Sequence, residues 1–394
     1  MLIHGLWLLL LPIAAASGWA AAKWSQKSDA LDDRKALFPK DYLLGLNFLL
    51  NEEPDKALDV FLKMVDVDSE TVETHLALGN LFRRRGEVNR AIRIHQNLIA
   101  RPTLSKDIRV QALFALAKDY LSAGVLDRAE SLFLELVEMN EQVGESLQCL
   151  LSIYQQEKNW QSAIQIAQKI NARTGTDMHL PIAHHYCELA ELALKTDDYE
   201  SATRYLKKAL SNDSNCVRAS LLFGNMLVGK GNYKQAIRHF QHIKDQDPDY
   251  FVEAITPLVD SFRALSKETE LILYFKEVLK EFPRIPVVVV LSEQIRQWRG
   301  DKAAATFVAD YVRKHPSIAG VHRLVELQLP LTEGRAKHDL SILHSLTQKL
   351  LAAQPSYQCI NCGFAGKVLH WQCPSCKRWS SMKPMYTLEV EQDD

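Results

Sequence analysis

Along most of this 394-residue chain, apolar residues keep a helical rhythm, in stretches that come in pairs and are parted by short polar turns. The pairs recur at a fixed period. Gly45 and Gly79 lie 34 residues apart, and so do Ala57 and Ala91, Ala129 and Ala163, and Ala202 and Ala236. The stretch "ALAKDYLSAGVLDRAESLFLEL" repeats the template through Ala117, Tyr120, Gly124, Ala129 and Phe133, and "ELAELALKTDDYESATRYLKKAL" through Ala190 and Ala202. The cleanest copy is "LFGNMLVGKGNYKQAIRHFQHIKDQDP", with Gly224, Gly231, Ala236, Phe240 and Pro248. The positions have a physical logic. Small residues let two antiparallel helices approach closely, and larger apolar residues fill the space left between them. Glycines such as Gly86, Gly124 and Gly231 end the first helix of a pair, where positive φ is favoured. Proline, as at Pro102 and Pro248, closes the second.

This pattern resembles the tetratricopeptide repeat. After Asp249 it decays: Glu270 stands where alanine is expected, and a glycine-to-alanine step returns only at Gly300 and Ala305. "VVVVL" at 287–291 has strand propensity, but its place in the repeat predicts helix. About nine helical hairpins are expected over residues 38–354, the last three atypical, as end repeats of a solenoid must be. The first helices of such an array line a concave face suited to a peptide or another protein. Repeats of this kind bind; they seldom catalyse.

The chain opens differently. Residues 2–22 contain no Lys, Arg, Asp or Glu and as a helix would extend roughly 31 Å, enough to cross a bilayer core. No basic residue precedes the run, whereas Lys23, Lys27, Arg34, Lys35 and Lys40 follow it. That bias predicts an uncleaved single-pass anchor with its N-terminus outside and the bulk of the chain in the cytoplasm. Trp19 and Trp24 suit a membrane–water interface.

Net charge is −1, which gives no global pull toward nucleic acid. No phosphate loop, nucleophile elbow or HExxH occurs, so an enzyme is not expected. His184 and His185 read as helix-face residues, Arg83, Arg84 and Arg85 as a solvated helix end, and "DQDPDY" as an acidic turn without the spacing of a calcium loop. Cys149, Cys187 and Cys216 read as small buried apolar residues.

The other four cysteines form a different object. Cys359-x-x-Cys362 and Cys373-x-x-Cys376 are two knuckles ten residues apart, and four thiolates satisfy one tetrahedral ion. Gly363 suits a tight turn after the first pair, and Pro374 stiffens the second. Roughly thirty residues hold little core, so a metal staple is expected. Iron and zinc both fit four sulfurs. Trp371 and Trp379 bracket the second knuckle, placed either to shield it or to dock it on the solenoid. Lys367, Lys377, Arg378 and Lys383 make the segment basic. Trp371, Lys377, Arg378 and Trp379 are the candidate partner-facing residues of this segment, beside the concave face of the repeats.

The motif "YQCINCGFAGKVLHWQCPSCKRWSSMKPM", after "LLPIAAASGW" and a repeat solenoid, is similar to the lipopolysaccharide assembly protein B (LapB, or YciM) family of Gram-negative bacteria. The resemblance covers essentially the whole chain. It implies an all-α solenoid with an N-terminal transmembrane helix and a small rubredoxin-like, zinc-ribbon-like module. The layout is then anchor 1–23, linker 24–37, repeats 38–354, metal module 355–388 and acidic tail 389–394. The resemblance further implies an inner-membrane regulator of lipopolysaccharide synthesis that promotes degradation of LpxC by the membrane protease FtsH and meets an inner-membrane lipopolysaccharide-sensing regulator and membrane lipid. Cys359, Cys362, Cys373 and Cys376 are the implied ligands of one iron or zinc ion. Nucleic acid is not an expected partner, and a homo-oligomer is left open. Two other readings stay on the table: a rubredoxin-like electron carrier on a repeat scaffold, and a zinc ribbon that reads nucleic acid.

Overall fold

The 34-residue register becomes helix pairs in which the second helix buries its fourth, eighth and eleventh residues. A computed structural model describes residues 19, 40–51, 53, 56, 57, 59, 60, 69–102 and 104–385. The segment read as an anchor lies outside them, Trp19 excepted. Among the described residues no helix is long and apolar enough to cross a membrane. Seventeen α-helices fall among them, α1 Lys40–Leu50, α2 Ser69–Arg84, α3 Val88–Ile99, α4 Lys106–Ser122, α5 Leu126–Glu138, α6 Val143–Gln156, α7 Trp160–Thr174, α8 His179–Lys195 and α9 Tyr199–Asn212 in the first half. They continue with α10 Val217–Gly229, α11 Tyr233–Gln246, α12 Phe251–Ala264, α13 Glu268–Glu281, α14 Ile285–Arg299, α15 Asp301–Lys314, α16 Ile318–Gln328 and α17 Gly334–Ala353. Short 3-10 turns stand at Pro248–Tyr250 and Leu329–Leu331. Two compact units divide the chain, Met1–Ser146 and Leu147–Asp394.

The alanines that mark the period, Ala57, Ala91, Ala129, Ala163, Ala202 and Ala236, are all fully buried. In α11 the pattern is Ala236, Phe240 and Ile243, and in α5 Ala129, Phe133 and Leu136. The glycine of the first helix has a steric reason. A Cβ on Gly224 would lie 2.3 Å from the Phe240 ring, and one on Gly79 would lie 2.3 Å from His95 Nε2. The glycines expected to end first helices, Gly86, Gly124 and Gly231, have φ of +82°, +73° and +71°. "VVVVL" is helical, inside α14.

Two expectations are corrected. Glu270 does not occupy the alanine position: α12 is one residue longer than α10, so Leu271, Phe275 and Val278 take the buried places in α13 and Glu270 is exposed. Nor are Arg83, Arg84 and Arg85 one solvated face. Arg84 and Arg85 are exposed, but Arg83 Nη1 lies 2.9 Å from an oxygen of the fully buried Asp119. His95 bonds the other oxygen of that carboxylate. A buried carboxylate needs such partners, because an uncompensated charge in the interior costs several kcal/mol, roughly 3–5 when one partner is removed.

Candidate metal centre and its seat on the repeats

Beyond α17 the chain makes a three-stranded antiparallel sheet, with β1 Tyr357–Cys359 between β2 Ala365–Gly366 and β3 Met382–Pro384. β1 ends on Cys359, where the first knuckle begins. The Gly363 amide donates to Cys359 O (2.9 Å) and the Cys359 amide to Phe364 O (2.8 Å). Gly363 has φ of +76°, a conformation that disfavours any Cβ, hence glycine after the first cysteine pair. The second knuckle repeats the turn. The Lys377 amide donates to Cys373 O (3.0 Å), the Cys373 amide to Arg378 O (2.9 Å), and Lys377 takes φ of +59°.

These turns bring the four thiols together. Their sulfurs all lie within 4.8 Å of one another, with Cys359–Cys376 at 3.7 Å and Cys362–Cys373 at 3.6 Å. A tetrahedral ion with metal–sulfur bonds of about 2.3 Å sets its sulfurs roughly 3.8 Å apart. A disulfide needs about 2.05 Å, and all four cysteines are free thiols. The donor set therefore fits one metal ion, and four sulfurs suit zinc or a single iron. Electrostatics agree. Burial opposes ionisation of Cys359, but the Ser381 side chain and the amides of Cys362 and Asn361 outweigh it and bring the thiol down to about 6. The Arg378 amide pulls Cys376 down as well, while burial lifts Cys373 to about 11. Cys359 and Cys373 are buried, Cys376 is half-buried and Cys362 is exposed, so the centre has one solvent edge.

The module is seated on helices of its own unit. Trp379 stacks on His184 of α8 (4.7 Å between ring centres, 16°) and meets His185 edge-on at 5.7 Å. Trp371 packs against His184 at 6.0 Å and Tyr250 at 5.3 Å. The Tyr250 hydroxyl lies 2.7 Å from Met382 O and 3.1 Å from Ser380 O, and His184 Nε2 lies 2.7 Å from Ser380 Oγ. Lys383 pairs with Asp247, sits 3.8 Å from Asp249 and lies over the Tyr250 ring. The Tyr357 hydroxyl donates to Glu253 (2.6 Å), and Lys367 donates to Ala352 O (2.7 Å).

Several residues read otherwise in the sequence belong to this seat. His184 and His185 are not plain helix-face residues. Both are buried; burial and the nearby Arg218 guanidinium hold His184 well below the usual histidine range and His185 down to about 4. "DQDPDY" is no metal loop, but it is more than a turn, since Asp247, Asp249 and Tyr250 all hold the module. Of the two alternatives for Trp371 and Trp379, the docking one describes their contacts, and both are only half-exposed. Lys377 and Arg378 are exposed. Cys187 and Cys216 are buried with sulfurs 3.9 Å apart, whereas Cys149 is half-buried.

Fold and site together define a tetratricopeptide-repeat protein that carries a rubredoxin-type four-cysteine module. The family model for a rubredoxin metal binding domain matches residues 357–384, and tetratricopeptide-repeat models match 74–107 and 193–254. The chain is 38% identical over 383 residues to lipopolysaccharide assembly protein B of Escherichia coli K12, covering 97% of this chain and 98% of that protein. It is 37% identical over 391 residues to the protein of the same name in Haemophilus influenzae, again covering 97% and 98%. The chain belongs to the lipopolysaccharide assembly protein B family. Among solved structures, a tetratricopeptide repeat protein from Parabacteroides merdae aligns with a TM-score of 0.32 at 16% identity, over 71% of this chain and 100% of that one.

Proposed function

We propose that this chain is a membrane-anchored cytoplasmic adaptor in lipopolysaccharide assembly, with no chemistry of its own, that promotes FtsH-dependent proteolysis of LpxC. Full-length kinship with proteins named for lipopolysaccharide assembly is the observation that carries this reading. The mechanism is recruitment: holding protease and substrate at one membrane raises their effective concentration without new chemistry. Repeat helices offer the binding surface. Cys359, Cys362, Cys373 and Cys376 would hold one zinc or iron ion, whose contribution is to staple the two knuckles. The chain's own residues do the rest: Tyr250, His184, Asp247 and Glu253 fix the stapled module on the repeats. An inner-membrane regulator that senses lipopolysaccharide, and membrane lipid, would be met through residues 1–23.

Removing residues 2–22 tests the tether. The shortened protein should fold and keep its metal but no longer support LpxC degradation in cells. Full restoration of LpxC turnover by the soluble form would overturn the tethering account. The exposed Cys362 favours one second reading, an electron carrier whose metal edge meets a reductase. Reversible one-electron cycling of the iron-loaded protein with a cytoplasmic reductase, with partner binding intact, would support it. A nucleic-acid ribbon is not favoured, because Trp371 and Trp379 lie on His184 and Tyr250 rather than free for base stacking.

A further inference from the structure

Helix α9 and the end of α10 border an open surface groove of about 710 Å³ that shares no residue with the seat of the metal module. Arg204, Lys207, Lys208 and Lys230 line it, all exposed, and none of the four lies within ion-pair distance of a carboxylate among the described residues. Three of them rest on tyrosine rings instead. Lys230 lies 4.4 Å from the centre of Tyr199, Arg204 5.4 Å from Tyr205 and Lys208 5.6 Å from Tyr186. A ring face holds a cation in place without neutralising it. Of the acids nearby, Asp198 caps α9 through the Ser201 amide and feels the Arg204 charge without forming an ion pair with it, and Asp197 accepts from the Tyr199 hydroxyl. Glu200 is the sole carboxylate among the lining residues.

We infer that this groove is a docking site for an extended acidic segment of a partner protein. Along α9 the face Arg204, Lys207, Lys208, Ser211 follows i, i+3, i+4, i+7 spacing and so runs about 10 Å. That length matches roughly three residues of extended chain, with carboxylates on alternate positions facing the same way. A membrane surface is a poorer occupant. The lining lacks the leucine, phenylalanine or tryptophan that interfacial binding inserts into lipid.

The test uses the purified full-length protein and a fluorescein-labelled Glu-Thr repeat peptide, with the Gln-Thr repeat as its neutral counterpart. Fluorescence anisotropy at low and moderate salt should show binding of the acidic peptide alone, weakening as salt rises. The variant R204Q/K207Q/K208Q/K230Q should lose about tenfold or more in affinity, taking each exposed ion pair at its usual modest strength. Lys207→Glu alone should weaken binding in the same sense, and K302Q/K314Q/R335Q/K337Q, four exposed cations elsewhere, should leave it within about twofold. Equal losses in both quadruple variants would overturn the proposal, as would no binding by the native protein at low salt. Groove-dependent binding to phosphatidylglycerol vesicles without peptide binding would also overturn it, in favour of a lipid surface. Peptide binding does not require FtsH, LpxC or a tether, so this result stands or falls apart from the adaptor reading.

Discussion

Two tyrosine hydroxyls in the second unit make opposite predictions for the same substitution. Tyr250 is 1% exposed, and its hydroxyl is shared between the carbonyl oxygens of Met382 and Ser380 at 2.7 and 3.1 Å. Phenylalanine keeps the ring under Trp371 but leaves those oxygens one donor short. Stranding a buried acceptor costs about 1–3 kcal/mol. In a unit of this size that corresponds to a fall in Tm of roughly 3–10 °C. The Tyr274 hydroxyl, on α13, is also buried but finds no hydrogen-bond partner among the described residues. Tyr274→Phe removes an unsatisfied polar atom, so Tm should stay level or rise. Differential scanning calorimetry of the two variants, with metal content measured alongside, reads the contrast directly. If Tyr250→Phe shifted Tm by less than about 1 °C, or if Tyr274→Phe were the more damaging change, the account of the seat would be refuted.

Gly224→Ala should destabilise the second unit by about 1–3 kcal/mol, because its Cβ meets the Phe240 ring at 2.3 Å, and Phe240→Leu should recover part of the loss in urea titrations. Stability should fall with acid between about pH 6.5 and 4. His185 titrates near 4 in the fold and near 6.5 when unfolded, so the unfolded chain binds the extra proton in that window. The loss saturates below pH 4 at ~3 kcal/mol from His185, with His184 adding in the same direction. The urea midpoint of His185→Asn should show a flatter pH profile than that of the native protein. Stripping the metal with a chelator, or Cys373→Ser, should free residues 357–384 to proteolysis while far-UV circular dichroism keeps nearly all its helical signal, since the repeats bury their own core.

The repeat was legible because its rule is local. A small residue every 34 positions can be seen without knowing any contact, and each of those alanines is buried. The knuckles were legible for the same reason, since Cys-x-x-Cys is a turn that writes its own geometry. Glu270 misled because one added residue in α12 shifts the burial register while the apolar rhythm looks unchanged. The seat was hidden by distance along the chain. His184 meets Ser380 across 196 positions and Tyr250 meets Met382 across 132, and no spacing rule spans such gaps. One signal was present: an acidic turn ending in a tyrosine, and a basic strand at Lys383, are segments of opposite charge 136 positions apart. Arg83 was misread likewise, because Asp119, which holds it, belongs to the next repeat.

The central claim is that a metal-stapled module, locked onto a repeat array, serves recruitment rather than chemistry. Crosslinking followed by pull-down from membranes tests it most directly, comparing the native chain with one in which Cys359, Cys362, Cys373 and Cys376 are all serine. The account expects FtsH and LpxC with the native protein and the loss of one or both with the variant. Undiminished recovery of both with the four-serine chain would contradict it.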